Sequence, residues 1–344
     1  MSIITVGIDL AKTVFAVHGV DEAGKAELVK PKVARDQLVA LIAQLPPCLI
    51  GMEACSGAHH WARLFQQFGH TVKLMAPKLV APYRMSGKRG KNDAADAAAI
   101  CEAVTRPNMR FVPLKDEHQQ ATLCLHRTRQ GFVEERTATY NRVRGLLSEF
   151  GVVLPLSPER LRREIVPHLD DLPSWAKRCM SDLLEHAGNI EDRLAEYDRA
   201  ISEIAREDER SRRLMQLRGI GPTTASALLA SIGVGHDFRN GRQVAAWLGL
   251  TPGQYSSGGK ERLGSITKAG DAYLRSLLVL GARSVMANLG DKQDQFSRWV
   301  RNLIERRGYW RAAVAIAAKN ARMAWAMLKY GDAFSHEPAE HGAV

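Results

Sequence analysis

The sequence predicts an α/β domain at the amino terminus followed by an all-α remainder, and three observations carry that prediction. β-branched apolar runs open the chain, with turn residues between them. Shorter apolar runs then alternate with helically spaced segments as far as Thr105, an order that implies a mixed sheet with helices packed on it. From Glu117 onward long stretches keep a helical period, including three heptads.

In order, Ile3–Leu10 is a compact apolar run with Asp9 near its end. Thr13–Val20 and Glu27–Val33 complete a β-meander. Asp36–Leu45 has helical spacing, and Pro46-Pro47 stops it. Cys48–Met52 is a short buried strand closed by Glu53, Gly57–Phe68 is helical, Thr71–Met75 is a strand, and Ala94–Thr105 is an alanine-rich helix. Glu117–Phe150 is helical, with Leu125, Phe132, Thr139 and Leu146 recurring every seven residues. After a proline-containing break, Leu183, Ala187, Ile190, Leu194, Tyr197, Ile201 and Ile204 alternate four and three apart, the seam of an antiparallel hairpin or of an intermolecular coiled coil. A helix is expected to end at Gly219, another to begin at Pro222, and Phe296–Lys329 to be helical.

The formal charge of +11 and a pI near 9.6 point to a polyanionic partner. Between Asp237 and Gly331 there are 16 Lys and Arg against 6 Asp and Glu, whereas Pro158–Arg212 carries 10 against 14, so the basic surface lies mostly in the last third. A second basic patch surrounds Lys78–Lys91. The five cysteines have no zinc spacing, which suits a reduced, cytoplasmic protein with buried thiols. No apolar run approaches membrane-spanning length and no secretory signal pattern opens the chain, so membrane partners are not expected.

Four acids are candidates for chemistry. Asp93 and Asp96, spaced i, i+3, share one helical face beneath the basic loop of Lys88, Arg89 and Lys91. Paired carboxylates there suit a divalent ion and phosphate, although the N-terminal dipole of an ordinary surface helix also favours Asp. Asp9 and Glu53 end apolar strands, where open α/β sheets place their sites and an unpaired charge is costly to bury. Downstream, Arg218-Gly219-Ile220-Gly221-Pro222 has the form of a helix-hairpin-helix, whose second helix can hold a nucleic-acid phosphate on its first amides. Tyr255-Ser256-Ser257-Gly258-Gly259-Lys260 is a glycine-rich, cation-bearing loop with two serines, followed by Arg262, Lys268 and Arg275. It can present a nucleophilic serine or merely grip phosphate.

Gly7-Ile8-Asp9, Gly51-Met52-Glu53-Ala54 and Lys91-Asn92-Asp93-Ala94-Ala95-Asp96-Ala97 resemble the ordered acids of the DEDD transposases, insertion-sequence recombinases with a RuvC-like (RNase H fold) domain. The Gly-Ile-Gly hairpin, Ala246–Pro252, the Tyr-Ser-Ser-Gly-Gly-Lys loop and Lys268-Ala269-Gly270-Asp271 extend the resemblance through nearly the whole chain, to insertion-sequence family one-ten and its eleven-eleven subgroup. The resemblance implies a RuvC-like catalytic domain over residues 1–115, a coiled-coil arm over 116–210, a C-terminal transposase domain with helix-hairpin-helix and serine loop over 211–332, and a disordered tail over 333–344. It implies that Asp9, Glu53, Asp93 and Asp96 hold Mg²⁺, with Mn²⁺ as the alternative ion. Ser257, with Ser256 as the alternative, is then the nucleophile of a phosphoserine link to DNA. The implied partners are donor and target DNA, a structured non-coding (bridge) RNA and further copies of the chain, as a dimer or tetramer that completes a divided site. Two other readings stay open on sequence: a RuvC-like structure-specific endonuclease in which water attacks, and a non-catalytic nucleic-acid-binding protein.

Overall fold

The meander forms from β1 (Thr5–Asp9), β2 (Val14–Val20) and β3 (Ala26–Ala34), each antiparallel to the next. The computed structural model describes residues 2–84, 93–256 and 258–331. The chain divides into two compact units, the first through Glu117 and the second from His118. In the first, α1 (Arg35–Ala43), β4 (Leu49–Glu53), α2 (Ala58–Gln67) and β5 (Thr71–Met75) follow the meander closely as expected. Then come α3 (Pro77–Val80), a single 3₁₀ turn at Ala81–Tyr83, α4 (Asp93–Val104) and an unexpected two-residue edge strand, β6 (Phe111–Val112), too short for any periodicity to reveal. Among the described residues the sheet has the order β3-β2-β1-β4-β5-β6, with β1, β4 and β5 mutually parallel and the rest antiparallel.

Strand alternation decides which face each residue serves. Val6 and Ile8 of β1 and Ile50 and Met52 of β4 are buried with Leu38, Ile42, Trp61 and Phe65 of α1 and α2. Each such fully buried aliphatic or aromatic side chain contributes about 1.5–3 kcal/mol. The opposite face carries Gly7 and Gly51, which are paired in register across β1 and β4. Here α4 sits directly on the strands: a Cβ on Gly7 would lie 2.2 Å from the Ala97 carbonyl oxygen, and one on Gly51 would lie 2.8 Å from Val104 Cβ. The Cys101 thiol donates to the Thr5 carbonyl, 3.6 Å away, so α4 runs back along β1 with its N-terminus over the strand's carboxyl end.

The second unit contains α5 (Glu117–Ser148), α6 (Pro158–Glu164), α7 (Val166–Leu169), α8 (Ser174–Glu207), α9 (Glu209–Leu214), α10 (Pro222–Ile232) and α11 (Gly241–Trp247). A hairpin of β7 (Pro252–Gln254) and β8 (Leu263–Ile266) precedes α12 (Ala272–Ala287), α13 (Gln295–Arg307) and α14 (Tyr309–Tyr330). Helices α5 and α8 run antiparallel, joined by the Phe132–Tyr197 ring contact at 5.5 Å and by a Tyr140 hydroxyl that donates to Glu191. Five expectations need correction. The buried stripe of α5 near its end is Tyr140, Val143 and Leu147, leaving Leu146 exposed, because the i, i+3, i+7 positions beside the chosen heptad face the covering helices. The proline-containing break folds into α6 and α7, whose prolines occupy first-turn positions that need no amide donor. The helix before the glycine hairpin stops at Leu214, five residues early, and the expected Phe296–Lys329 helix is divided at Gly308, whose φ is +75°. Burial holds for Cys48 and Cys101, whereas Cys55, Cys124 and Cys179 are exposed. The last two lie on outward faces of α5 and α8.

A buried polar network ties α5 to the helices beneath it. Ser226 Oγ donates to the Pro222 carbonyl and lies 2.9 Å from His126 Nε2, while Tyr273 Oη lies 3.0 Å from His126 Nδ1. One proton order satisfies all three: His126 is neutral, donates from Nε2 to Ser226, and accepts at Nδ1 from Tyr273. Burial, assisted by the charge of Arg129, pushes His126 down to about 4 from an ordinary value of 6.5. The unfolded chain therefore takes up a proton below about pH 6.5 that the folded chain refuses until about pH 4, and stability falls as pH drops through that window.

Two outcomes follow. Gly7→Ala forces α4 off the sheet and lowers stability by about 3 kcal/mol in chemical denaturation. In urea unfolding, the stability lost between pH 7 and pH 4.5 is smaller in His126→Gln than in the unsubstituted protein by roughly 2–3 kcal/mol.

Candidate metal centre and nucleic-acid surfaces

Asp9 ends β1 on the face that α4 covers, and Asp93 and Asp96 occupy the first turn of α4. Because Gly7 and Gly51 let that helix descend, the carboxylates of Asp9, Asp93 and Asp96 come together, with ligand oxygens all within 4.8 Å of one another. Asp96 is buried and Asp93 exposed, so the cluster is rooted in the fold and open on one side. Three hard oxygen donors at this separation fit a small divalent cation, and they do not form a site for a soft metal. Nearby, partial burial of the otherwise exposed Cys55 and then the charges of Glu53 and Asp9 push its thiol up.

Glu53 ends β4 one residue beyond the last registered pair of β1 and β4, Ile8 and Met52. It is not a member of the three-acid cluster. Its Oε1 accepts from Arg84 Nη2 at 3.0 Å, and Nε of the same guanidinium lies 2.9 Å from Asp96 Oδ1. Arg84 therefore stands between the fourth expected acid and the cluster. It lies within the basic patch around Lys78–Lys91, just past the 3₁₀ turn that continues from α3, but no motif singles it out.

In the second unit the glycine-rich motifs have packing roles. Gly219, at φ +87°, faces Gly281 of α12, and a Cβ on either would overlap the other's backbone. Gly221 has open space around it and caps α10 ahead of Pro222. Arg218 Nη1 donates to both carboxylate oxygens of Asp294 at 3.0 Å and to Ser297 Oγ at 3.1 Å. The Ser297 hydroxyl and amide, then Arg218, hold the Asp294 carboxyl well below the usual carboxylate range. Arg218 and Lys292 border a cavity of about 210 Å³ with Ser284 and Asn288, residues the sequence did not single out. A Cβ at Gly249 or Gly270 would strike the backbone of Ala269 or Trp247, so the Trp247-Leu248-Gly249 and Lys268-Ala269-Gly270 motifs lock onto each other. Arg275, expected on a nucleic-acid surface, donates from Nη1 to the Leu248 and Ala269 carbonyls across that lock. Lys260, Arg262 and Lys268 are exposed. The serine segment, expected as a flexible loop, starts and ends in the β7–β8 hairpin, where Ser256 Oγ accepts from Gln254 Nε2 at 2.8 Å and from the Arg262 amide at 3.3 Å. Ser257, Lys88, Arg89, Lys91 and the predicted tail lie outside the described residues.

Two family models match. One, described as a transposase and specific to the DEDD type of IS110 elements, covers residues 6–152 and thus all four expected acids. The other, described as the transposase IS116/IS110/IS902 family, covers residues 211–298. The chain is 46% identical over 337 residues to a "Probable family 20 transposase" of Pseudomonas aeruginosa, covering 95% of this chain and 97% of that one. The chain belongs to the IS110 family of DEDD transposases. Similarity extends to the transposase for insertion sequence element IS1111A of Coxiella burnetii, 40% identical with 94% and 88% of the two chains covered. It extends also to that for IS1328 of Yersinia enterocolitica, 39% identical with 96% and 98% covered. This IS110-family transposase is therefore an enzyme that cuts and joins DNA, which removes the non-catalytic reading. No helix among the described residues is long and apolar enough to cross a membrane.

Proposed function

We propose that this transposase recombines donor and target DNA through a divalent-ion centre in its first unit and a serine nucleophile in its second, guided by a structured non-coding RNA of its own element. The observation that carries the reading is the convergence of Asp9, Asp93 and Asp96 within 4.8 Å. Carboxylates so close repel one another unless a cation sits among them. Mg²⁺ or Mn²⁺, when bound, supplies charge neutralisation at the scissile phosphate and orients the displacement. Asp9, Asp93 and Asp96 hold the ion, and Glu53 completes the acid set. The mixed sheet, with acids at the ends of β1 and β4, supports a RuvC-like origin for this unit.

Ser257 is the nucleophile: its Oγ forms an ester with a DNA phosphate as one P–O bond of the phosphodiester breaks, and the released deoxyribose oxygen takes up a proton in place of the one the serine hydroxyl loses. The alternative, Ser256, is disfavoured because its Oγ already accepts two hydrogen bonds that shape the hairpin. Lys260, Arg262 and Lys268 follow the backbone with Lys88, Arg89 and Lys91, and the open Gly221 end of α10 meets a phosphate in the manner of a helix-hairpin-helix. Base pairing by the RNA selects sequence while the protein reads shape and charge. The α5–α8 arm joins protomers into a dimer or tetramer. Val153, Leu156 and Trp175, at 90%, 84% and 80% exposure near the arm's end, support that role.

A DNA-linked adduct that survives denaturation is expected with Mg²⁺, lost in Ser257→Ala and in Asp93→Asn with Asp96→Asn, and retained in Ser256→Ala. Cleavage without an adduct assigns the attack to water. Sequencing of RNA that co-purifies with the protein is expected to return one structured transcript of the element, and recovery of only bulk cellular RNA removes the guide.

A further inference from the structure

We propose that Arg84 is a displaceable resident cation of the acid centre: its guanidinium holds Glu53 and Asp96 together in the metal-free enzyme, and a divalent ion must expel it. The inference rests on the metal reading above and adds a step to it. Arg84 reaches two acids from two different elements, Glu53 Oε1 at 3.0 Å and Asp96 Oδ1 at 2.9 Å. Asp96 also belongs to the three-acid cluster, so the guanidinium and the ion share a ligand. A guanidinium paired with one oxygen of a carboxylate lowers the negative charge that the other can offer, so the arginine and the ion compete for Asp96.

The geometry favours departure of the arginine rather than of the acids. Glu53 and Asp96 are anchored in β4 and α4, with side chains 13% and 8% exposed, whereas the Arg84 side chain is 38% exposed. It follows the 3₁₀ turn that continues from α3 and belongs to neither the sheet nor α4, and its Nε beside Asp96 is buried without a hydrogen bond. Rotation about its own side-chain bonds carries the guanidinium to solvent without disturbing a strand. A competing cation that takes over the carboxylates releases it. Release frees Glu53 from its ion pair, which makes the fourth acid available when the ion is present. Without the ion, the same pairing shields two anchored carboxylates from each other.

A site occupied by its own cation shows an apparent metal affinity reduced by the fraction of time it is free. Calorimetric titration of the full-length protein with Mn²⁺ is therefore expected to give about tenfold tighter binding for Arg84→Gln than for the unsubstituted protein, with Arg84→Lys between them. Equal or weaker binding in Arg84→Gln overturns the proposal, because Arg84 then builds the site instead of filling it. Should Arg84→Gln fail to fold, ¹⁵N-arginine spectra of the unsubstituted protein decide: the Arg84 Nε–H signal, assigned by its absence in Arg84→Lys, must shift and exchange faster on adding Mg²⁺. A signal unmoved at saturating Mg²⁺ overturns it. If the unsubstituted protein binds no Mn²⁺ at all, the metal reading falls and takes this inference with it, whereas binding insensitive to Arg84 removes this inference alone.

Discussion

Everything at the candidate centre depends on the close seating of one helix on two strands. Gly7 and Gly51 stand side by side in register, and neither has a Cβ to keep α4 away. Interiors pack at crystal-like density, so the space released by two missing methyl groups is filled by α4 backbone at Gly7 and by the Val104 side chain at Gly51. The descent brings the first turn of α4 over the carboxyl end of β1, and Asp93 and Asp96 meet Asp9 there. With larger residues at the two glycines, the same acids would be ordinary helix-start and strand-end charges.

That seating has an electrostatic cost. It concentrates carboxylates where water is partly excluded, and neighbouring like charges oppose folding. The helix N-terminus offsets some of this, since the helix dipole favours negative charge there. Arg84 offsets more, with one guanidinium serving an acid on a strand and an acid on a helix. A divalent ion carries twice that charge, and Asp96 is common to the arginine pair and to the three-acid cluster.

The second unit uses glycine in the same way for a different end. Gly219 against Gly281, and Gly249 and Gly270 against the facing backbone, are close approaches that hold the serine hairpin and the Gly-Ile-Gly turn on a helical core. Arg218 and Arg275 illustrate how a basic residue in or beside a glycine-rich motif can be spent internally, one on Asp294 and the other on two carbonyls. Positive charge on the surface is then carried by exposed residues such as Lys260, Arg262 and Lys268. His126 adds a neutral buried link from α5 to α10 and α12, specified by a single tautomer.

The sequence by itself determined the element order of the first unit, because strand and helix periods are local and the β-meander, β4, α2 and β5 each carry a clean one. It also marked the acids, since a charge that ends an apolar run or opens an alanine-rich helix stands out against its neighbours. Short or context-bound pieces escaped it: β6 and the helices of the proline-containing stretch have too few residues to show a period, and the buried stripe of α5 depends on which helices cover it. Only the tertiary structure decided which acids meet. Asp9, Asp93 and Asp96 converge because backbone approaches backbone at Gly7, while Glu53 is diverted to Arg84, a residue 31 positions away with no motif of its own. Pairing across such a separation is set by packing, which no local pattern encodes.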